Sequence, residues 1–111
     1  MVIIGLGSNI GDRLDYLQRA VKILQGATLD ITHLSSIYES NAVLREDAPD
    51  AWNKPYLNMV IAGHTTHHVH DLLTLCKNSE MDLGRIDRGR WSPREVDIDI
   101  EKSIVSISSE N

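Results

Sequence analysis

The pattern of apolar and polar positions at the start of the chain predicts a strand followed by a helix. Residues 2–6 form a short apolar run rich in β-branched side chains, which is typical of a buried strand. Asp12 is a good helix N-cap, and Gly26 is a plausible stop signal. Between them, apolar residues recur at helical spacing: Leu14, Leu17, Ala20, Val21 and Leu24. We therefore predict a helix over residues 13–25.

The middle of the chain predicts two more strands and a long connection. Residues 29–38 alternate loosely between apolar and polar side chains, as in a half-buried strand. The stretch 40–55 is polar, acidic and interrupted by Pro49 and Pro55, which predicts a loop. Residues 56–63 read as a third strand.

A second helix and a fourth strand complete the pattern. Thr65 or Thr66 can cap the helix, and Gly84 can end it. Its predicted apolar stripe consists of Val69, Leu72, Leu73, Cys76 and Leu83. Residues 96–100 then predict a strand.

The resulting order is β-α-β-β-α-β. This order predicts an α+β fold of the ferredoxin-like kind, with an antiparallel four-stranded sheet and both helices on one face. The length of 111 residues suits one domain, so we expect a single domain over 1–111.

Composition and charge disfavour some classes of function and indicate one kind of binding site. The net charge of −5 disfavours nucleic-acid binding, and no apolar run approaches the ~20 residues of a membrane span. Cys76 is the single cysteine, and the start of the chain does not resemble a targeting signal, so we expect a cytoplasmic protein. Four of the eleven basic residues nevertheless fall within ten positions: Arg85, Arg88, Arg90 and Arg94. An acidic protein with one arginine cluster suggests a specific anion site.

Asp97 and Asp99 are candidate metal ligands. Residues two apart in a strand point to the same face, where two carboxylates repel each other unless a cation lies between them. Such a pair suits Mg²⁺, which completes its shell with water and substrate phosphates. The competing interpretation is a solvated outer face of an edge strand.

The arginine cluster has two interpretations of equal weight. Guanidinium groups match phosphate oxygens, and arginines beside magnesium are common in phosphoryl transfer. Alternatively, the arginines only balance neighbouring acids: Asp82, Asp87 and Glu95. Glu80 lies on the apolar stripe of the second helix, as either a flank residue or a functional group.

Two other motifs are weaker. The run Gly5-x-Gly7 does not complete a dinucleotide-binding fingerprint, because Ile10 stands where its third glycine is required. A cluster of histidines suggests zinc, but no carboxylate or thiol is spaced to complete a tetrahedral site; its members are His64, His67, His68 and His70.

Taken together, five segments resemble the 6-hydroxymethyl-7,8-dihydropterin pyrophosphokinases of the folate pathway. The resemblance covers residues 2–100, and its last run is highly specific. The matching segments are Gly5-Leu6-Gly7-Ser8-Asn9 with Gly11-Asp12, Ser35-Ser36-Ile37-Tyr38-Glu39-Ser40, Tyr56-Leu57-Asn58, Glu80 with Leu83-Gly84-Arg85, and Arg90-Trp91-Ser92-Pro93-Arg94-Glu95-Val96-Asp97-Ile98-Asp99-Ile100.

The resemblance implies a reaction and a set of site residues. The family transfers the β,γ-pyrophosphoryl unit of ATP to the hydroxymethyl oxygen of the pterin and releases AMP. Asp97 and Asp99 would bind two magnesium ions and, with Arg85 and Arg94, form the catalytic set. The pterin site would include Gly7, Ser40, Ala42, Val43, Tyr56, Asn58 and Trp91. The nucleotide site would include Glu80, Arg85, Arg90, Arg94 and Ile100. The implied partners are thus small molecules, and we expect a monomer or weak homodimer.

Two segments depart from the family pattern. Residues 41–44 replace the prolines that usually follow Ser40, so we expect this loop to bind the pterin differently. Residues 101–111 do not resemble the family's continuation, which carries a His-Pro segment and a further aromatic, so one wall of the pocket is expected to be missing. The alternative function is therefore a non-catalytic or impaired relative that binds magnesium-nucleotide or a protein partner.

Overall fold

A computed structural model describes residues 1–27, 29–42, 44, 46–86, 88 and 93–103. In chain order its elements are β1 Val2–Ser8, α1 Arg13–Ala27, β2 Asp30–Leu34, β3 Tyr38–Ser40, β4 Tyr56–His64, α2 Val69–Asp82 and β5 Asp97–Ser103. A short 3₁₀ turn, Asp50–Trp52, interrupts the connection before β4.

The strands form one antiparallel sheet in the order β2-β4-β1-β5, and β3 also pairs with β4. Within the described residues this is an open sheet with two helices, which confirms the predicted α+β, ferredoxin-like arrangement. Several strand bounds differ from the prediction. β1 ends at Ser8 rather than residue 6, and β4 ends at His64 rather than residue 63. The last strand starts at Asp97 rather than residue 96 and extends to Ser103, and Ser40 belongs to a strand.

The predicted second strand is in fact two strands on the same side of β4. Ser35 lies between them. Its amide donates to the Val60 carbonyl at 2.8 Å, but its hydroxyl rather than its carbonyl accepts from the Val60 amide, at 2.7 Å. Because a side chain replaces the backbone in the ladder, regular pairing stops here and resumes at Tyr38.

Helix α1 begins as predicted and ends later. The Asp12 carboxylate accepts from the Asp15 amide at 3.1 Å, which satisfies one of the free amides of the first turn. Leu17, Ala20 and Leu24 are fully buried, whereas Leu14 is exposed. The stop at Gly26 is wrong, because this glycine lies inside the helix, which continues to Ala27.

Helix α2 starts later than predicted. Its N-cap is His68, without a side-chain cap, so neither Thr65 nor Thr66 caps it; the Thr65 hydroxyl instead accepts from the His67 amide in the preceding turn. Gly84 ends the helix as predicted, at a φ of 92° that favours glycine.

The core lies between the sheet and the two helices. Alternate residues of β1 point into it, and its fully buried centre comprises Ile4, Leu17, Leu24, Ile61, Leu72, Cys76, Val96 and Ile98. Cys76 is a core residue as expected, and burial raises the pKa of its thiol to about 11. The predicted stripe of α2 is wrong at Val69 and Leu73, which are exposed. The opposite face of the sheet is left for the site.

Candidate functional site

Strand register brings the candidate site residues together on the face of the sheet away from the core. Gly5 and Gly7 of β1 lie opposite Asp99 and Asp97 of β5, and Gly7 also lies opposite Asn58 of β4. Because side chains alternate along a strand, these positions share one face. A Cβ at Gly7 would stand 3.3 Å from the Tyr56 ring, so glycine keeps the floor of the site open.

A cavity of about 530 Å³ covers this floor. Seven of the predicted site residues line it: Gly7, Ser40, Tyr56, Asn58, Arg94, Asp97 and Asp99. The volume is in the range of small-molecule sites. Residues predicted to contact a phosphate chain and residues predicted to contact a heterocycle therefore share one space.

One wall of the cavity combines carboxylates with arginines. Asp97 Oδ1 accepts from Arg94 at 3.1 Å and from Arg85 at 3.3 Å. Asp99 forms no ion pair with any lysine or arginine in the described part of the chain. The wall thus holds one carboxylate that is neutralised and one that is not.

The electrostatics of Asp99 reflect this imbalance. Desolvation at the cavity wall, reinforced by the adjacent Asp97 carboxylate, raises the pKa of Asp99 to about 6. The charged form of Asp99 is therefore disfavoured without a further cation. A cavity-facing carboxylate of this kind is suited to bind a hard divalent ion through oxygen.

Glu80 holds the two halves of this wall in place. The residue is 3% exposed, and its Oε2 accepts from the Ile98 amide at 2.6 Å, between the two aspartates. Its Oε1 accepts from Arg85 at 2.5 Å. Glu80 does not line the cavity. It therefore fixes β5 and Arg85 from behind, and its predicted contact with the nucleotide stays a prediction.

Arg88 differs from Arg85 and Arg94, because it neutralises a neighbouring acid. Its guanidinium donates to both oxygens of Glu95, at 2.8 and 2.6 Å, and Glu95 also accepts from the Ile86 amide at 3.2 Å. These contacts, the Arg88 hydrogen bonds first, lower the pKa of Glu95 to about 2. Arg88 therefore serves to neutralise Glu95 within the same segment.

The Glu95 pair predicts a specific pH dependence of stability. A carboxyl with a depressed native pKa stabilises the fold above its unfolded pKa, near 4.5, and this contribution is lost as the pH falls towards 2. Glu95→Gln should lower the free energy of unfolding at pH 7 by about 1–2 kcal/mol and flatten its slope between pH 5 and 2. Urea unfolding at several pH values measures both effects. Glu39→Gln, which removes an exposed pair with Arg13, is the control and should change less. A parallel pH profile in Glu95→Gln would contradict the assignment.

The opposite wall offers polar and aromatic groups. Asn58 Nδ2 donates to the Ser40 hydroxyl at 2.8 Å and more weakly to the Tyr38 carbonyl at 3.4 Å. Its carboxamide oxygen therefore remains available to a ligand. Tyr56 stands beside Gly7, and burial is the main cause that raises the pKa of its hydroxyl. An amide and an aromatic ring at this position suit a flat, hydrogen-bonding heterocycle.

The other predicted site residues lie apart from the cavity or outside the described residues. Arg85 touches the cavity wall through Asp97. Ile100 packs against the core, and Ala42 is not among the lining residues. Val43, Arg90 and Trp91 fall outside the described residues.

Sequence reasoning missed several lining residues and one buried contact. Tyr38, Asn41, Met59, Val60 and Glu101 line the cavity. Glu101 could have been found, because it lies two residues beyond Asp99 and so shares its face. Asn9 was quoted only as part of a motif, yet it bonds to the backbone of two distant segments.

The described residues contain no group of three or more histidine, cysteine, aspartate or glutamate side chains placed to hold a metal ion. They also contain no helix that is long and apolar enough to cross a membrane.

Comparison with known proteins places this geometry in a family. A family profile described as 7,8-dihydro-6-hydroxymethylpterin-pyrophosphokinase matches residues 3–106. The chain is 44% identical over 98 residues to a 2-amino-4-hydroxy-6-hydroxymethyldihydropteridine pyrophosphokinase of Bacillus subtilis, and the match covers 87% of the chain. It is 39% identical over 99 residues to the protein of that name in Aquifex aeolicus, and 38% identical over 99 residues to a folate synthesis bifunctional protein of Chlamydia muridarum, with 89% of the chain covered in each case.

The matches extend over part of each relative. The chain spans 56% of the Bacillus protein, 58% of the Aquifex protein and 22% of the Chlamydia protein. The profile match nevertheless covers nearly the whole of this sequence and includes both walls of the cavity. The chain belongs to the 7,8-dihydro-6-hydroxymethylpterin-pyrophosphokinase family.

Proposed function

We propose that this chain transfers the pyrophosphoryl unit of ATP to the hydroxymethyl oxygen of 6-hydroxymethyl-7,8-dihydropterin and releases AMP, as a step of folate biosynthesis. The observation that carries the proposal is the shared cavity, with Asp97, Asp99 and Arg94 on one wall and Tyr56 and Asn58 on the other. Family membership favours this reaction over a relative that only binds nucleotide.

The donor set fits magnesium. Asp97 and Asp99 supply carboxylate oxygens on one face, and desolvation, followed by the Asp97 carboxylate, raises the pKa of Asp99 to about 6. Two carboxylates are the usual protein contribution to Mg²⁺ that also binds a nucleotide. We assign both residues as ligands of the two expected ions. Bound there, magnesium would neutralise the phosphate oxygens and so make the β-phosphorus easier to attack.

The chain's own residues position the reactants. Tyr56 and Asn58 orient the heterocycle, so that its hydroxymethyl group points across the floor of Gly5 and Gly7 towards the aspartates. In the transfer, the hydroxymethyl oxygen bonds to the β-phosphorus, the bond to the α-phosphate oxygen breaks, AMP departs, and the hydroxyl proton is released. Arg94 bears donors beyond the one given to Asp97, so it can stabilise charge on the transferred group.

A product assay tests the proposal. The protein is incubated with ATP, Mg²⁺ and the pterin alcohol, and the nucleotides are separated by chromatography. We expect AMP in amounts equal to the pyrophosphorylated pterin, and none when either the pterin or Mg²⁺ is left out. ADP as the product would indicate transfer of a single phosphoryl group and would contradict the proposal.

A pair of arginine variants tests the division of roles in the arginine segment. Arg94→Ala removes a guanidinium that lines the cavity and should weaken ATP binding about 10- to 100-fold. Arg88→Ala removes a guanidinium bound to Glu95 and should leave ATP affinity nearly unchanged while lowering stability. Calorimetric titration with ATP and Mg²⁺ measures the affinity of each variant, and urea unfolding measures its stability. Equal losses of affinity would show that the whole segment acts through its net charge.

Location and assembly stay predictions. A cytoplasmic location, a monomer or weak homodimer, and partners restricted to small molecules are what the sequence leads us to expect. Sedimentation at two protein concentrations would measure the assembly state.

A further inference from the structure

Asn9 is buried where the two walls of the cavity meet. It follows the last residue of β1 and is 3% exposed, although asparagine is ordinarily a surface residue. A buried amide is stable only when its polar atoms have partners, and the partners of Asn9 lie 45 and 85 residues away in the chain. The residue therefore joins segments that the strand ladder does not join.

The contacts of Asn9 divide between two segments. Its Nδ2 donates to the Lys54 carbonyl at 3.0 Å. Its Oδ1 accepts from the Arg94 amide at 2.8 Å, and its own amide donates to the Arg94 carbonyl at 3.1 Å. Each end of one carboxamide thus holds a different stretch of backbone.

These two stretches lead directly into the two walls. Lys54 stands two residues before Tyr56, and Arg94 both lines the cavity and bonds to Asp97. A second contact supports the first segment, because Arg13 donates to the Pro55 carbonyl at 2.9 Å, but that contact is exposed. Asn9 is a buried link between the two segments that lead into the walls, and it adds to the pairing of β1 with β4 and β5.

We infer that Asn9 is a positioning residue that sets the pterin side of the site against its phosphate side. The expected effect on kinetics rests on the proposed function, whereas the expected effect on the structure does not. Reaction between two bound substrates needs their reacting atoms held within a fraction of an ångström of the productive geometry. A rigid buried amide can supply that constraint without touching either substrate.

Three variants separate the two ends of the carboxamide. Asn9→Asp keeps the oxygen that accepts from Arg94 and replaces the donor to Lys54 with an acceptor. Asn9→Ala removes both contacts. Ser8→Ala is the matched control: Ser8 is its fully buried neighbour, and its hydroxyl has no hydrogen-bond partner in the described part of the chain.

Hydrogen exchange tests the structural claim without any substrate. In Asn9→Asp we expect faster exchange over residues 54–58 and unchanged exchange over residues 94–98. In Asn9→Ala both segments should exchange faster, and in Ser8→Ala neither should. If Asn9→Ala exchanges like Ser8→Ala, the inference is overturned. Asn9→Asp, the closest in shape, decides the matter if the alanine variant does not fold.

Kinetics test the functional claim. Asn9→Asp should raise the Michaelis constant for the pterin about tenfold, the equivalent of one hydrogen bond, and leave that for ATP within about twofold. Asn9→Ala should raise both constants, and Ser8→Ala neither. Equal changes of the two constants in Asn9→Asp would overturn the division of roles. If the wild-type protein forms no AMP, the proposed function has failed, and hydrogen exchange alone decides the role of Asn9.

Discussion

Replacing Asp99 with asparagine is expected to abolish magnesium-dependent nucleotide binding and turnover while leaving the fold intact. The asparagine keeps the size of the side chain but removes the negative charge that attracts the metal. Loss of one group that stabilises developing charge in a transition state typically costs about 100- to 1,000-fold in rate, and we expect the loss of a metal ligand to lie at the upper end. Calorimetric titration with ATP, with and without Mg²⁺, and the AMP assay measure the two effects.

The stability of the Asp99→Asn variant decides whether its loss of binding reflects a lost ligand or a damaged fold. The raised pKa of Asp99 shows that its negative charge is disfavoured in the free protein, chiefly by desolvation and then by Asp97. Removing the charge should therefore leave the free energy of unfolding at pH 7 unchanged or increase it. A variant that loses ligand binding and stability together would show a structural role instead.

Asp97 should behave differently from its neighbour. Asp97→Asn also removes a proposed magnesium ligand, but it leaves Arg85 and Arg94 without their shared carboxylate. We therefore expect the same loss of turnover accompanied by lower stability. Asp82→Asn, at the exposed end of α2, is the surface control and should change neither property. Equal affinity for ATP with and without Mg²⁺ in the wild-type protein would refute the metal assignment altogether.

Local patterns were enough to predict both helices, most of the strands and the acidic pair. The period of two in β5 places Asp97 and Asp99 on one face whatever the rest of the fold does. The helical stripe of α1 and its Asp12 cap are likewise local, and both are present in the structure. The split of the predicted second strand was missed because the Ser35 side chain competes with the backbone there, and that contact depends on a strand 25 residues away.

The division of labour among the arginines could not be predicted from the sequence. Arg85 and Arg88 stand three residues apart in one segment, yet the first bonds to Asp97 and the second to Glu95. Which carboxylate each arginine reaches depends on how β5 pairs with β1 and packs on α2, and spacing along the chain does not encode that. For the same reason the role of Asn9 could not be predicted, since both of its partners are distant in sequence.

Glu80 shows how a buried charge can serve the site without contacting a ligand. A carboxylate at 3% exposure is unfavourable unless it is paired and hydrogen-bonded, and Glu80 is both. One oxygen fixes the Ile98 amide, so the backbone between the two aspartates cannot shift. The other fixes Arg85, which in turn reaches Asp97. The geometry of the proposed metal-binding wall, which carries Asp97 and Asp99, therefore depends on Glu80.

Glu80→Ala should consequently cost both stability and function. Removing one partner of a buried ion pair typically lowers the free energy of unfolding by about 3–5 kcal/mol, because the remaining polar groups stay buried without a partner. Ser79→Ala is the matched control on the same helix, since Ser79 is also buried but its hydroxyl donates to the Leu75 carbonyl within α2.

Glu80→Gln separates the two functions of this side chain. It keeps the shape and can still bond to the Ile98 amide, but it lacks the charge that holds Arg85. In this variant we expect about half the loss of stability of Glu80→Ala. We also expect a weaker affinity for magnesium-nucleotide, with the affinity for the pterin nearly unchanged. Thermal unfolding and separate titrations with each ligand measure these quantities. If Glu80→Gln weakens both ligands equally, Glu80 supports the fold in general rather than the metal-binding wall in particular.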